Sequence, residues 1–225
     1  MKRELPADAL PIFPLENVVL FPGVQVPLHI FEPRYRQMAR SALSGPQRIG
    51  MVTLNGSQRD EYGQPVVFPV GCEGAITHSE SLPDGRFNLV LSGLQRFRIA
   101  EEFPSDETRL YRAALTTALP ENLPATPREQ EQLAQCRVVV MKHLEELCRN
   151  LSTEIADEIS SEFLDRFDDP SFVNTLCQAI DFAPSEKQAL LECDALLART
   201  EQLEGLLAFR LAELRSGPGA NAVVH

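Results

Sequence analysis

Residues 10–35 read LPIFPLENVVLFPGVQVPLHIFEPRY, a stretch in which short apolar runs alternate with proline and glycine. Apolar runs bounded by such turn formers are typical of β-strands. Pro22-Gly23 marks one turn, and Pro33 follows Glu32 where a proline suits the first position of a helix. The stretch therefore predicts strands over residues 18–21 and 24–30 that lead directly into a helix over residues 32–43.

The same strand pattern continues to about residue 117, with further strands predicted over residues 49–54, 74–78, 87–91 and 97–100. Pro83-Asp84-Gly85 is the clearest turn, because an Asp-Gly pair tolerates positive φ, and its flanks at 75–76 and 88–91 can pair as a hairpin. The predicted helix over residues 32–43 has one apolar face, made of Tyr35, Met38, Ala39 and Ala42. Short strands in this number favour a barrel or a sandwich.

The pattern changes after the proline-bracketed segment 119–124, where apolar residues begin to recur at helical spacing from Leu133 to Leu151. Ser152 is a candidate cap for a helix carrying Ile155, Ile159 and Phe163, and Asp169-Pro170 is a cap followed by a first-turn proline. A capping-box pattern at Ser185 predicts a last helix over residues 185–214, about 40 Å long. That length would allow two copies of the chain to pair along it.

These patterns predict an α+β protein in four parts. We expect a flexible N-terminus over residues 1–9, a β-barrel subdomain over 10–118, an α-helical subdomain over 119–215 and a disordered tail over 216–225.

The net charge of −11 is concentrated in the second half of the chain. Residues 1–118 carry 12 Lys and Arg against 13 Asp and Glu, whereas residues 119–225 carry 9 against 19. Double-stranded DNA and anionic membranes are bound through clustered cations, so this balance argues against both, at least for the acidic second half, and it disfavours RNA. Neither a signal peptide nor a membrane helix is recognisable in the sequence, which favours a cytoplasmic location.

No residue pattern indicates catalysis, a cofactor or a metal. The sequence lacks a phosphate-binding P-loop, a dinucleotide fingerprint and a nucleophile elbow. His78 and Ser79 are strand neighbours that point to opposite faces, so they cannot act together as base and nucleophile. The five cysteines form no C-x-x-C pair, and the four histidines share no ligand spacing. We therefore expect a protein without enzymatic activity.

Three blocks resemble, in the same order, the N-terminal substrate-binding domain of Lon-type proteases. The first comprises residues 10–15, 18–23 and 27–35, the second comprises residues 70–72, 83–85 and 93–99, and the third is Lys187-Gln188-Ala189-Leu190-Leu191-Glu192. The resemblance extends from about residue 10 to residue 210. It implies a PUA-like β-barrel of about six strands with one helix, followed by an α-helical bundle that ends in a long helix.

The resemblance also implies a function. In Lon proteases the equivalent domain helps to recognise unfolded or tagged polypeptides, whereas an ATPase and a peptidase follow it in the same chain. Motifs for neither are present here, so we expect a stand-alone, non-catalytic module that binds unfolded or extended polypeptide segments. One alternative is an adaptor that acts with a separate protease. Another is an RNA-binding barrel, since PUA-like barrels elsewhere bind RNA and this one contains Arg86, Arg96, Arg98, Arg109 and Arg112.

The predicted polypeptide-binding residues lie at the junction between the second strand and the first helix. They are Ile30, Phe31, Arg34 and Tyr35, with the barrel edge offering an additional strand-pairing surface. A purely structural role competes with this hypothesis, since Phe31 and Tyr35 could fill the barrel and Glu32 and Arg34 could fix the start of the helix. Burial of both aromatic side chains would remove the hypothesis.

Overall fold

The computed structural model describes residues 5–60, 63–151 and 167–216. Residues 1–4 of the predicted flexible N-terminus, the predicted helix that begins at Ser152, and residues 217–225 of the predicted tail lie outside the described residues. The seven strands are β1 (Leu10–Leu15), β2 (Gln25–Ile30), β3 (Arg48–Arg59), β4 (Pro65–Val67), β5 (Val70–Ser81), β6 (Phe87–Phe103) and β7 (Ala113–Leu119). The helices are α1 (Pro33–Leu43), α2 (Pro127–Leu151), α3 (Asp169–Ala179), α4 (Pro184–Glu192) and α5 (Leu196–Ser216). The predicted α+β class is confirmed.

The sheet closes on itself through five of its strands. They follow the order β1, β7, β6, β5, β3, and β3 then pairs with β1 in parallel to complete the ring. The long strand β6 makes this possible because its first half pairs with β2 and its second half with β7, while β5 lies along its other side. The expected barrel is therefore present, with β2 and β4 added outside the ring.

The predicted hairpin joins β5 to β6. Ala75 pairs with Ser92 and Ile76 with Leu91, while Gly85 takes a φ of +79° at the turn. The Asp84 carboxylate accepts the backbone N–H of Arg86, which fixes the same turn from the other side. The Asp-Gly pair thus sets the register of the longest strand pairing in the sheet.

The predicted apolar face of helix α1 packs into the barrel core. Tyr35, Met38, Ala39 and Ala42 are all buried, and Pro33 occupies the first turn. The helix packs against β1, β2 and β3. A cluster of buried side chains that includes Phe13, Leu20 and Leu89 surrounds this face. The helix prediction is confirmed in its position, its start and its buried side.

Two strand predictions were wrong. Residues 18–21 form an irregular, largely buried segment, where the Phe21 N–H is satisfied by the Gln178 side chain rather than by a neighbouring strand. Residues 87–91 and 97–100 belong to the single strand β6. Polar Gln95 and Arg96 interrupt the apolar pattern there, but the Arg96 guanidinium is buried and donates to the carbonyls of Leu191 and Pro120.

The described residues divide into two compact units. The first contains the chain up to Pro120 together with Asn174–Glu192, and the second contains the rest. The domain boundary expected between residues 118 and 119 stays a prediction. A single boundary in the sequence cannot separate the two units, because residues 174–192 group with the first one. Hydrogen bonds hold the returning segment in the first unit, because Gln188 Nε2 donates to the Val70 carbonyl and Arg96 donates to the Leu191 carbonyl, each at 3.0 Å.

The second unit is built around the packing of α2 on α5. Each helix buries leucines at helical spacing, and the buried set comprises Leu133, Leu144, Leu147, Leu203, Leu207 and Leu211. Arg199 of α5 is fully buried and donates to the Glu121 carboxylate at 2.8 Å. The Arg137 guanidinium of α2 contacts the start of α3, where it binds the Asp169 carboxylate and lies 4.2 Å from the centre of the Phe172 ring.

The last helix is shorter than predicted. The predicted helix over residues 185–214 is divided into α4 and α5 by an interruption at residues 193–195. The Leu196 N–H donates to the Asn122 carbonyl, and Arg199 donates to the Cys193 carbonyl, so one backbone group on each side of the break has a hydrogen-bond partner. At 21 residues α5 is still a long helix, of about 32 Å.

Two predicted helix caps are shifted by one or two residues. Asp168, not Asp169, caps α3, because its carboxylate accepts the Ser171 N–H. At α4 the helix begins at Pro184, and Glu186 reaches back to the Ala183 N–H instead of Gln188 reaching back to Ser185. In the described part of the chain, no helix combines the length and hydropathy needed to cross a membrane.

Candidate functional site

The four predicted site residues are divided between core and surface. Ile30 is 1% exposed and Tyr35 is 5% exposed, whereas Phe31 is 59% exposed and half of the Arg34 side chain is accessible. Strand alternation explains the first difference, because Ile30 ends β2 facing the core and Phe31 follows it on the outside. Of these four residues, Phe31 and Arg34 are the two that a partner can reach.

Tyr35 and its neighbours hold the junction in place from inside. Its ring packs edge-on against Phe13 with centroids 4.4 Å apart, and its hydroxyl donates to the Pro14 carbonyl. Burial raises the pKa of Tyr35 above its ordinary value of 10.0, consistent with a side chain enclosed in the core. The structural role weighed for Tyr35 is therefore the one that its contacts support.

Arg34 lies at the surface directly above this buried ring. Its guanidinium is 4.4 Å from the Tyr35 centroid, and its Nε and Nη2 each lie 2.9 Å from one oxygen of Glu32. Glu32 occupies the N-cap position of α1, but its carboxylate binds Arg34 rather than the helix N–H groups. Because both side chains are well exposed, this ion pair is weak and a competing carboxylate can replace Glu32.

Phe31 is flanked by a polar network on the outer face of the sheet. The His29 ring lies 6.2 Å from the Phe31 ring and nearly parallel to it. Arg86 donates to His29 Nε2, so the ring proton resides on Nδ1, which donates to the Asn88 side-chain oxygen at 2.8 Å. Asn88 in turn donates to Glu80. The network fixes His29 and thereby one side of the exposed phenyl ring.

A small cleft, partly open to solvent, lies beside Arg34. It is framed by the start of α1, strands β1, β3 and β4, and the loop between β6 and β7. Its walls include Pro14, Leu54, Pro65 and Leu110, with Arg34 and Arg112 as its charged residues. The lining thus combines apolar side chains with polar ones, among them Tyr35, Gln64 and Ser105.

The loop between β6 and β7 presents Leu110, which is 43% exposed, to this cleft. Asp106 accepts the backbone N–H groups of Thr108 and Arg109 and the Thr108 hydroxyl, and these hydrogen bonds lower the pKa of Asp106. Gln37 of α1 binds the loop at both Thr108 and Leu110. Sequence patterns did not indicate Leu110 as a site residue, because Pro14, Arg34 and Leu54, which line the cleft with it, are distant in sequence.

The free edge of β2 is partly closed to strand pairing. The Gly93 N–H donates to the Val24 carbonyl. In this register the backbone N–H and C=O groups of the even-numbered residues of β2 point toward β6, and those of the odd-numbered residues point away from it. Pro27 is therefore on the outward side, where it has no N–H to offer. A polypeptide strand added at this edge would lack one hydrogen bond at its centre, which makes side-chain contacts the more important source of binding.

Four of the five arginines that suggested an RNA site have partners within the chain, whereas Arg98 is exposed. Arg96 is 1% exposed, Arg109 donates to the carbonyls of Phe103, Pro104 and Tyr111, and Arg112 binds Glu102 and the Pro65 carbonyl. Arg86 is paired with Asp84. In the described residues, therefore, these side chains do not assemble into one cationic surface.

The described residues also bring together no group of three or more His, Cys, Asp or Glu side chains able to hold a metal ion. The five cysteines are free thiols, and Cys72 and Cys177 are buried. His78 and Ser79 occupy consecutive positions of β5, paired with Val90 and Leu89 respectively.

Comparison with known proteins agrees with this fold. The chain is 26% identical to the Lon protease of Escherichia coli K12 over 206 residues, which cover 91% of this chain and 25% of that protein. The Lon protease of Cytophaga hutchinsonii is also 26% identical, over 92% of this chain and 24% of that protein. The chain thus spans about a quarter of the length of these relatives.

Two solved structures share the fold. The N-terminal domain of a Lon protease from the Mycobacterium avium complex superposes with a TM-score of 0.68 at 18% identity, covering 89% of this chain and 98% of that chain. The Lon N-terminal domain protein from Xanthomonas campestris superposes with a TM-score of 0.59 at 20% identity, covering 88% and 97%. Residues 9–208 match the family described as the ATP-dependent protease La (LON) substrate-binding domain, and the chain therefore belongs to that family.

Proposed function

We propose that this chain is a polypeptide-recognition module that binds extended or unfolded segments through exposed apolar side chains. The binding surface consists of Phe31, Arg34 and the cleft wall that carries Leu110. The observation that supports this most directly is the 59% exposure of Phe31 on a junction that Tyr35, Ile30 and His29 hold rigid. A rigid aromatic group at the surface gains contact area on binding while losing little conformational entropy.

The family supports the same proposal, since its description is that of a substrate-binding domain. Binding without bond cleavage is the proposed contribution of the described residues. A separate protease as partner stays a prediction. RNA binding is disfavoured by the internal partners of Arg96, Arg109 and Arg112.

The test uses two exposed phenylalanines in one protein. Phe31 and Phe209 are 59% and 57% exposed, so Phe31→Ala and Phe209→Ala remove similar apolar surface at different places. We would measure binding of a fluorescently labelled, reduced and carboxymethylated polypeptide by anisotropy. Phe31→Ala should weaken binding about ten-fold, because burial of a phenyl ring contributes about 1.5–3 kcal/mol, and Phe209→Ala should leave binding unchanged.

Thermal melts would first establish that both variants are folded. Equal affinities of the wild type and a folded Phe31→Ala variant would exclude Phe31 from the binding surface. A loss of affinity only in Phe209→Ala would move the surface to the helical unit.

A further inference from the structure

Helix α1 carries three arginines and no acidic residue, in a protein whose net charge is −11. Arg36 and Arg40 are one helical turn apart, and both reach the turn at Gly85. A Cβ atom on Gly85 would lie 2.2 Å from Arg36 Nη2 and 3.4 Å from Arg40 Nη2. Because both distances are measured from one point, the two Nη2 atoms are less than about 6 Å apart.

Within the described part of the chain, neither of these guanidinium groups forms an ion pair. Arg36 Nε is buried and has no hydrogen-bond acceptor. Arg40 lies 5.7 Å from the centre of the Phe87 ring. The neighbouring arginines do form ion pairs, Arg34 with Glu32 and Arg86 with Asp84. Two adjacent cations without a counter-charge repel each other, and an oxyanion between them would relieve this repulsion.

The arginine pair belongs to the same surface as Phe31. Arg86 follows Gly85 in the turn and donates to His29, whose ring lies beside Phe31. The contacts therefore run from Phe31 through His29 and Arg86 to Gly85, where Arg36 and Arg40 meet. Phe31 and the arginine pair are thus connected through neighbouring side chains of β2 and of the turn between β5 and β6.

We propose, building on the proposed function, that Arg36 and Arg40 bind a side-chain carboxylate of the polypeptide whose apolar residue contacts Phe31. The recognised class is then a segment in which Asp or Glu lies close to an apolar side chain. Guanidinium groups suit this ligand because they donate two parallel hydrogen bonds to a carboxylate. The gain at a partly exposed site is modest, about five-fold in affinity.

The test compares synthetic peptides that are amidated at the C-terminus, so that any carboxylate belongs to a side chain. One peptide has an apolar centre flanked by Glu, and the second has the same centre flanked by Gln. We would titrate both by fluorescence anisotropy against the wild type, Arg36→Gln/Arg40→Gln and Arg98→Gln. Arg98 is an exposed arginine of β6 outside the pair and serves as the matched control.

We expect the wild type and Arg98→Gln to bind the Glu peptide about five-fold more tightly than the Gln peptide, and this preference should shrink as salt is added. The double variant should bind both peptides equally. A thermal melt checks that it is folded; should it not fold, Arg40→Gln alone carries the test, since Arg40 is an exposed helix residue.

Equal binding of both peptides by the wild type, or a preference that survives in the folded arginine variant, overturns the inference. In that case, sensitivity of either titration to Phe31→Ala still supports the proposed function. If the wild type binds neither peptide, this inference is overturned, and the titration with the carboxymethylated polypeptide decides the proposed function separately.

Discussion

Gly93 shows how a single missing side chain allows the strand β6 to pass the irregular segment at Phe21. A Cβ on Gly93 would lie 2.1 Å from the Phe21 carbonyl oxygen and 3.2 Å from the Pro22 Cα, and backbone atoms cannot rotate away as a side chain can. Gly205 of α5 has no atom within 4 Å of the corresponding position.

These two glycines make a matched prediction. Gly93→Ala should lower the free energy of unfolding by about 2–3 kcal/mol through overpacking, whereas Gly205→Ala should raise it by up to about 1 kcal/mol through helix propensity. Urea denaturation of both variants measures the change. A Gly93→Ala variant as stable as the wild type would contradict the close approach of Phe21.

Arg199 is the second residue whose role depends on burial. Its side chain is inaccessible to solvent, and Glu121 is the carboxylate that it binds. Removing one partner of a buried ion pair leaves the other charge without compensation. Glu121→Gln should therefore destabilise the protein by about 2–4 kcal/mol.

The exposed pair of Arg210 and Glu213 provides the control for that prediction. Both side chains are more than a third accessible, so Glu213→Gln should change the free energy of unfolding by no more than about 0.5 kcal/mol. If the two variants unfold at similar urea concentrations, the stability of the protein does not depend on the ion pair between Arg199 and Glu121.

At the scale of elements, a capping box sets the start of α2. Thr126 Oγ1 accepts the Glu129 N–H, while the Glu129 carboxylate accepts the N–H groups of Thr126 and Ala125. These hydrogen bonds, with the Thr126 backbone contributing most, lower the pKa of Glu129. The first turn of α2 is therefore stabilised by a carboxylate that must stay ionised.

The lowered pKa gives a signed pH dependence. Stability from this carboxylate is present above its ordinary pKa of 4.5 and is lost as the pH falls through the lower folded value. Glu129→Gln should therefore be less stable than the wild type at neutral pH, and the difference should diminish below about pH 4. Denaturation series at both pH values test this, and a difference that does not vary with pH would contradict it.

Elements whose sequence carries a continuous local pattern were predicted well. Elements that depend on contacts with residues distant in the chain were not. Helix α1 has proline at its start and a periodic apolar face, and both features act within the helix itself. The interruption at residues 193–195 has no such signal, because it depends on Asn122 and Arg199 satisfying the broken ends. Burial of Arg96 inside β6 likewise requires the carbonyls of Pro120 and Leu191.

For the molecule as a whole, we predict no proteolytic activity. Incubation of fluorescein-labelled casein with the purified chain, with and without ATP, should release no more dye than buffer alone. His78 and Ser79 combine residue types found in hydrolytic triads, but they are consecutive residues of β5 and so point to opposite faces of the strand. Time-dependent release that is lost on substitution of a single residue would contradict the binding-only proposal.

Pairing of two copies through the last helix also stays a prediction. Phe209 and Leu214 of α5 are 57% and 44% exposed. Sedimentation of the wild type beside Phe209→Glu tests it, because a charge at that position would separate a dimer held by this helix. A wild type that is monomeric at all concentrations would remove the prediction.

The sequence by itself determined the class of the protein, the first helix, the β5–β6 hairpin and the family, because each rests on local periodicity, turn chemistry or ordered motifs. Tertiary structure decided which site residues are accessible. Alternation along β2 turns Ile30 inward and Phe31 outward, while Pro14 and Phe13 draw Tyr35 into the core. It also decided that residues 174–192 return to the barrel and that Arg36 meets Arg40 at Gly85. The contacts of Tyr35 with Pro14, of Gln188 with Val70 and of both arginines with Gly85 join residues far apart in the chain, and no local pattern encodes them.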